Sequence, residues 1–242
     1  MKQFYFALFG ILLCSNLIAQ IQTPYSTMHR VPKGWQLPIT NGLVAYYPML
    51  RNTRDESGSE QHAVPYKATF TTDRRGTENA AYTFNLENSL IYCPLKNNHF
   101  DSLTMMCWVK STAASQQGTI FYAGLSDKNG FGLILGDGLN SGGNKLVLLL
   151  GLVNPDAFQR SVTMPAQQWV HVTLVKLGSN WRLLMNGNVA ANVNFNYNTP
   201  DVPLVLGGVL GNPDWALKGA ISDFIFYNRA LTDAEIRVLY NR

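Results

Sequence analysis

The sequence predicts an all-β fold: two antiparallel sheets packed as a sandwich, with one short helix at the C-terminal end. Short apolar runs of about 5 to 8 residues recur from Asn41 onward. Turn clusters rich in Gly, Asn and Asp separate them, and only one stretch carries helix signals. Apolar residues make up 46% of the 242 and charged residues 14%, which is enough for a large core and too little charge for a disordered chain. Sandwiches commonly use about 200 residues or more as one domain.

The first element is a targeting signal. Lys2 precedes an apolar run over residues 4–13, and Leu17-Ile18-Ala19-Gln20 supplies a small residue for cleavage after Ala19. Residues 1–19 are therefore expected to be a signal peptide, with a secreted or cell-surface destination. A lipoprotein signal on Cys14 competes, but Leu13 stands where a small residue is wanted. The run is too short to span a bilayer comfortably, and no transmembrane segment is expected in the mature chain. Residues 20–40 carry Pro24, Pro32, Gly34 and Pro38 without periodicity and read as a linker or tail. Trp35 within it either docks on the domain or stays exposed.

The domain is expected over residues 41–242. Its runs cover residues 42–47, 80–84, 89–95, 103–110, 119–123, 130–135, 145–152, 169–176, 181–185, 188–195, 202–206 and 219–227. Asp55-Glu56-Ser57-Gly58, Asp73-Arg74-Arg75-Gly76 and Ser141-Gly142-Gly143-Asn144 are among the turns, where Gly and Asn tolerate positive φ. Asn186-Gly187 between Met185 and Asn188 is a two-residue hairpin signal. Thr232 caps a helix over residues 232–240, with Asp233 and Glu235 in its first turn and Leu239 on its apolar side. Cys93 and Cys107 both fall in apolar runs, as a disulfide or as two buried thiols. The net charge of +4 is not clustered, so neither a nucleic acid nor an anionic membrane is an expected partner.

The stretch from Gly219 through Ser222-Asp223-Phe224-Ile225-Phe226-Tyr227 to Leu231-Thr232-Asp233-Ala234-Glu235-Ile236 resembles the closing segment of laminin G-like, concanavalin A-like jelly rolls. Gly42 to Pro48 resembles their opening strand, and Asp55 to Gly58 with His62 their first loop. Leu103 to Lys110, Gln168 to Val172 and Leu184 to Gly187 follow in the family's order, so the resemblance covers residues 41–242. It implies a two-sheet jelly-roll sandwich with the N- and C-terminal strands side by side. Trp108 and Trp169 read as core residues and His171 as a structural histidine.

Three functions follow from that resemblance, since the fold alone does not choose among them. The first is a secreted, non-catalytic carbohydrate-binding or adhesion module whose partner is a glycan or other cell-surface ligand. The second is a cell-surface protein–protein interaction module. The third is a divergent glycosidase, which needs two carboxylates across the scissile bond. Glycosidases of this class carry Glu-x-Asp-x-x-Glu on one strand, and no strand here has it. No Gly-x-Ser-x-Gly elbow occurs either, so no catalytic residue is assigned.

A structural calcium ion is the one cofactor the resemblance implies. Asp55 and Ser57 of the first loop, with Asp223 of the closing strand, would ligate it through oxygen. The family's acidic pair reads Ser222-Asp223 here, so one carboxylate is lost. In the competing reading Asp55 caps the turn and Asp223 pairs with a nearby cation or amide. Sugar contacts would come from loop residues: Trp215 with Asp214, and a second set of Tyr122, Asp127, Asn129, Asn140 and Asn144. Packing competes with ligand contact for Trp215, as turn chemistry does for the asparagines.

Overall fold

The apolar runs become strands paired edge to edge in two antiparallel sheets. The computed structural model describes residues 32–95, 100–112, 118–124, 130–136, 144–150, 158–196 and 203–242. The proposed signal peptide lies outside the described residues. Trp35–Arg242 forms one compact unit, and Met1–Gly34 is a separate unit.

In chain order the strands are β1 (Leu43–Tyr47), β2 (Val64–Tyr66), β3 (Thr69–Thr71), β4 (Ala81–Phe84), β5 (Leu90–Cys93), β6 (Ser102–Ser111) and β7 (Gly118–Ala123). β8 (Phe131–Leu135), β9 (Lys145–Leu150), β10 (Phe158–Thr163), β11 (Trp169–Leu177) and β12 (Asn180–Met185) follow. β13 (Asn188–Asn194), β14 (Leu204–Leu206), β15 (Gly219–Tyr227) and the helix α1 (Asp233–Tyr240) complete the set. Sheet A runs β13-β12-β11-β6-β15-β4-β3, with β1 also paired to β15. Sheet B runs β10-β9-β8-β7-β14-β5-β2. The pairing of β1 with β15 puts the first and last strands side by side.

Side chains alternate along each strand, so each sheet sends one set inward. Tyr47, Phe84, Met105, Val172, Trp181 and Phe224 of sheet A meet Ile91, Phe121, Phe131, Leu148 and Leu206 of sheet B in the main core. Cys107 of sheet A and Cys93 of sheet B lie in that core as free, buried thiols, and burial raises both above the usual thiol range. The opposite alternates build smaller clusters on the two outer faces. On sheet A, Met106, Val175, Leu184 and Ile225 pack against Ile236 and Leu239 of α1 and the half-buried Leu37 and Ile39. The segment expected to be a linker is therefore ordered on the domain from Trp35, which is buried beneath the Arg75 guanidinium 4.9 Å from its ring.

Sequence reading missed β2, β3 and β10, and all three stand at sheet ends. An edge strand need not carry a run of buried side chains, and β2 contains Pro65, which is tolerated only where no ladder hydrogen bond is required. Trp108 also departs from expectation. It projects to the outer face of sheet A, half-buried and stacked on Tyr240 at 5.5 Å, whereas Trp181 is the fully buried indole.

Candidate functional site

The loop after β1 is organised by one carboxylate. Asp55 accepts three backbone amides: Tyr46 and Ser57 on Oδ1, each at 3.0 Å, and Gln61 on Oδ2 at 3.1 Å. Its own amide donates to His62 Nδ1 at 3.1 Å, and the Ser57 hydroxyl donates to the Val44 carbonyl at 3.2 Å. The turn is tied to β1 from both sides, as a buried carboxylate surrounded by N–H donors should tie it.

Asp223 is spent differently. It sits inside β15 with φ of 53°, a left-handed conformation that non-glycine residues rarely adopt. It marks the point where β15 changes partners. Gly219–Ile221 pair with β4, while Phe224–Tyr227 pair with β1. The register against β6 also shifts across Ser222 and Ile225, which makes this a bulge. Arg74 Nη1 donates to Oδ2 at 2.7 Å, and Arg242 Nη2 donates to Oδ1 at 2.5 Å. Arg242 also donates to the Tyr46 hydroxyl at 2.8 Å and the Trp35 carbonyl at 3.1 Å. Arg74 reaches the Arg242 carbonyl at 2.8 Å and lies 4.4 Å above the Trp108 ring.

These contacts fit the reading in which Asp55 caps its turn and Asp223 pairs with nearby cations. Asp55 meets the backbone nitrogen of Tyr46, while Asp223 lies at its phenol end, 3.4 Å from the hydroxyl. The carboxylates face amides and guanidinium groups, not a shared oxygen-lined cavity. Asp55, Ser57 and Asp223 therefore do not fit a calcium ion. Among the described residues no group of three or more His, Cys, Asp or Glu side chains could hold a metal.

The outer face of sheet B has another character. Tyr122, Val205, Tyr92 and Val64 form one cross-strand row, with Tyr66 and Leu90 in the next. Gly207 leads into the segment that crosses this face, and the Leu217 amide returns to the Gly207 carbonyl at 2.9 Å. Within it Pro213–Trp215 forms a turn of 3-10 helix capped by Asn212, whose side chain accepts the Asp214 amide at 3.3 Å. Trp215 packs on the cluster containing Tyr122, Val205 and Val209, yet stays half-buried, as do Tyr66 and Tyr92. The Lys67 ammonium stands 5.5 Å from the Tyr66 ring centroid.

Of the expected sugar contacts, Trp215 and Asp214 share this face, with Asp214 exposed. Tyr122 belongs to the same face but to strand β7, not a loop, and it is fully buried. Gly124 and Gly130 make room for it: a Cβ on either would stand 2.4 or 2.3 Å from its ring or hydroxyl. Asn144 exchanges hydrogen bonds with Met164, at 2.7 Å from its side-chain nitrogen to the Met164 carbonyl and 2.9 Å from Met164 N to its own carbonyl. Asp127, Asn129 and Asn140 lie outside the described residues. Sequence reasoning missed Tyr66 and Tyr92; the alternation of Leu90 and Tyr92 against Ile91 and Cys93 was the available signal.

A sequence profile of the concanavalin A-like lectin/glucanases superfamily, laminin G type, matches residues 87–237, more than half of the chain. The chain belongs to that superfamily. No curated protein sequence matches it. Among solved structures, domain 4 of AbnA, a GH43 extracellular arabinanase from Geobacillus stearothermophilus in complex with arabinotriose, superposes with a TM-score of 0.68 at 18% identity. That match covers 82% of this chain and 98% of the other. The botulinum neurotoxin serotype D ligand-binding domain in complex with N-acetylneuraminic acid gives 0.63 at 16%, and the binding domain of Paraclostridial Mosquitocidal Protein 1 gives 0.65 at 17%. Each of these two matches covers 84% of this chain and about half of the toxin chain, 51% and 52%. At these identities the likeness is one of fold. Among the described residues no helix of this superfamily member is long and apolar enough to cross a membrane.

Proposed function

We propose that this domain is a non-catalytic carbohydrate-binding module, exported by its N-terminal signal, that takes a glycan on the outer face of sheet B. The observation that carries the reading is the set of half-buried rings Trp215, Tyr66 and Tyr92 on one rigid sheet face beside the exposed Asp214. Sugar rings present C–H faces that stack on aromatic planes, and neighbouring polar groups fix their orientation. The sugar complexes of two fold neighbours, one with arabinotriose and one with N-acetylneuraminic acid, support the same class of ligand.

The carboxylates favour binding over hydrolysis. Glycoside cleavage needs two of them about 5 to 10 Å apart across the bond, with one free to donate a proton. Here Asp55 and Asp73 are turned to backbone amides, Asp223 to two guanidinium groups and Glu235 to Arg229. Burial raises Glu56 above the usual carboxylate range, but its neighbour Asp55 is already committed to three amides.

A glycan array with the mature domain, followed by titration of the best hit, tests this reading. Trp215→Ala is expected to weaken binding about two- to tenfold, the value of one lost stacking contact of about 0.5–1.5 kcal/mol. Unchanged affinity in that variant would move the site off this face. Release of reducing sugar by the wild type, lost on mutation of a carboxylate pair, would replace binding by catalysis.

A further inference from the structure

We propose that Arg74 and Arg242 stand in for a divalent cation at Asp223, closing the seam between β1 and β4 with guanidinium groups and making the fold independent of calcium. This does not depend on which ligand the opposite sheet face takes.

The argument begins at the seam. One edge of β15 serves β4 over Gly219–Ile221 and β1 over Phe224–Tyr227, so the ladder on that edge breaks at Ser222-Asp223. A residue held at positive φ in such a break persists only if its surroundings over-determine it. Asp223 is 2% exposed, and a buried carboxylate must be matched by charge. The match here is two guanidinium groups, one on each carboxylate oxygen.

Those groups also gather the oxygens a hard cation would collect. Arg242 donates to the Trp35 carbonyl and the Tyr46 hydroxyl as well as to Asp223. Arg74 donates to Asp223 and the Arg242 carbonyl. Each guanidinium carries five N–H donors in a fixed fork, so two of them can bind several chain segments at once. The entry segment at Trp35, strand β1, the turn between β3 and β4, strand β15 and the residues after α1 all meet there. Each Asp223 oxygen already faces a guanidinium group, and those two cations repel a calcium ion brought to the same carboxylate. The neighbouring His171, 5.2 Å from Trp108, is neutral: burial, then Arg74 and Arg242, hold it down at about 3.

Thermal unfolding of the full-length chain in EDTA and then in excess calcium chloride is the first arm, and no shift of the midpoint is expected. A calcium-dependent rise that Asp223→Asn abolishes would overturn the proposal. The second arm is a double-mutant cycle with Arg242→Gln and Asp223→Asn. Arg242→Gln is expected to lower the midpoint by about 10 °C, and the double variant to lose clearly less than the sum. Additive losses would overturn it. Arg242→Lys retains the charge without the fork and covers the case in which Arg242→Gln does not fold. In that variant hydrogen exchange should quicken over residues 35–47 and stay unchanged over β7 and β8. Wild-type exchange rates over residues 35–47 would overturn the proposal.

Discussion

The outer faces of the two sheets are both covered by the chain's own segments, with opposite chemistry. On sheet A the cover is fastened by directed polar bonds. Tyr46 donates to the Trp35 carbonyl at 2.8 Å, Tyr227 to Ile39 at 2.8 Å, and Arg229 Nε to Asn41 at 2.8 Å. On sheet B the segment between Gly207 and Leu217 lies on apolar side chains and leaves aromatic rings half out. Polar closure uses up its donors, and Trp108 is flanked by Arg74 and stacked on Tyr240, which leaves no ring face for a ligand. Apolar closure leaves Trp215, Tyr66 and Tyr92 half-buried. On the proposed function one side of the sandwich serves stability and the other recognition, and changes on each should then separate in those two readouts.

The sharpest separation is expected from Asp223→Ala. It leaves two guanidinium groups, 9% and 10% exposed, without their anion and places a Cβ-bearing residue without compensation at positive φ. A loss of about 3–5 kcal/mol is expected in urea unfolding, with glycan affinity unchanged wherever the protein is still folded. A binding defect in the folded variant would break the division.

Gly207→Ala should violate the division on purpose. Gly207 has φ of 75°, and a Cβ there would stand 2.1 Å from the Phe84 ring, which is fixed in the core. Overpacking and strain together cost about 3 kcal/mol. Because Gly207 anchors the segment that carries Trp215, affinity should fall as well, unlike the Asp223 variant. A stable variant with normal binding would show that the segment is not positioned by this contact.

The next effect depends on pH. His171 is buried among Thr173, Trp108, Tyr240 and the two arginines, and its folded pKa of about 3 lies below the ordinary 6.5. Above pH 6.5 both folded and unfolded forms are neutral, and the group adds no pH dependence. As pH falls below 6.5 the unfolded state takes the proton first. Stability then falls by up to about 1.4 kcal/mol per pH unit, until pH nears 3. His171→Gln should flatten that slope in unfolding curves measured between pH 6.5 and 4. An unchanged slope would assign it to other groups.

The legible and illegible parts of the molecule follow the same division. Strands of the core announce themselves because burial demands apolar side chains at alternate positions, as in Leu146, Leu148 and Leu150. Edge strands such as Thr69–Thr71 face no such demand. The loop role of Asp55 was one of two readings open in the sequence, and the local backbone amides favour it. A cation on Asp223 was one of the readings, but its identity was not legible, because Arg74 lies 149 residues away and Arg242 beyond α1, 19 residues on. Trp215 was singled out as an aromatic on a polar loop. Tyr66 was hidden in a short edge strand containing Pro65.

The smallest effect sits where sequence and structure agree most closely. Thr232 Oγ accepts the Glu235 amide at 3.3 Å, and Glu235 Oε2 accepts the Thr232 amide at 2.9 Å, a complete capping box. Arg229 clasps both Glu235 oxygens at 2.6 and 3.1 Å and, with the Thr232 amide next, holds that carboxyl down to about 2. The sign follows: the contribution is whole above the ordinary carboxylate range and is lost as pH falls toward 2. Thr232→Ala removes one acceptor and leaves the arginine clasp, so about 1 kcal/mol is expected at neutral pH. Because α1 covers sheet A, that loss should appear as faster exchange over residues 233–240 with no change in glycan affinity. A change in affinity would mean that α1, on the face assigned to stability, communicates with the aromatic face through the core.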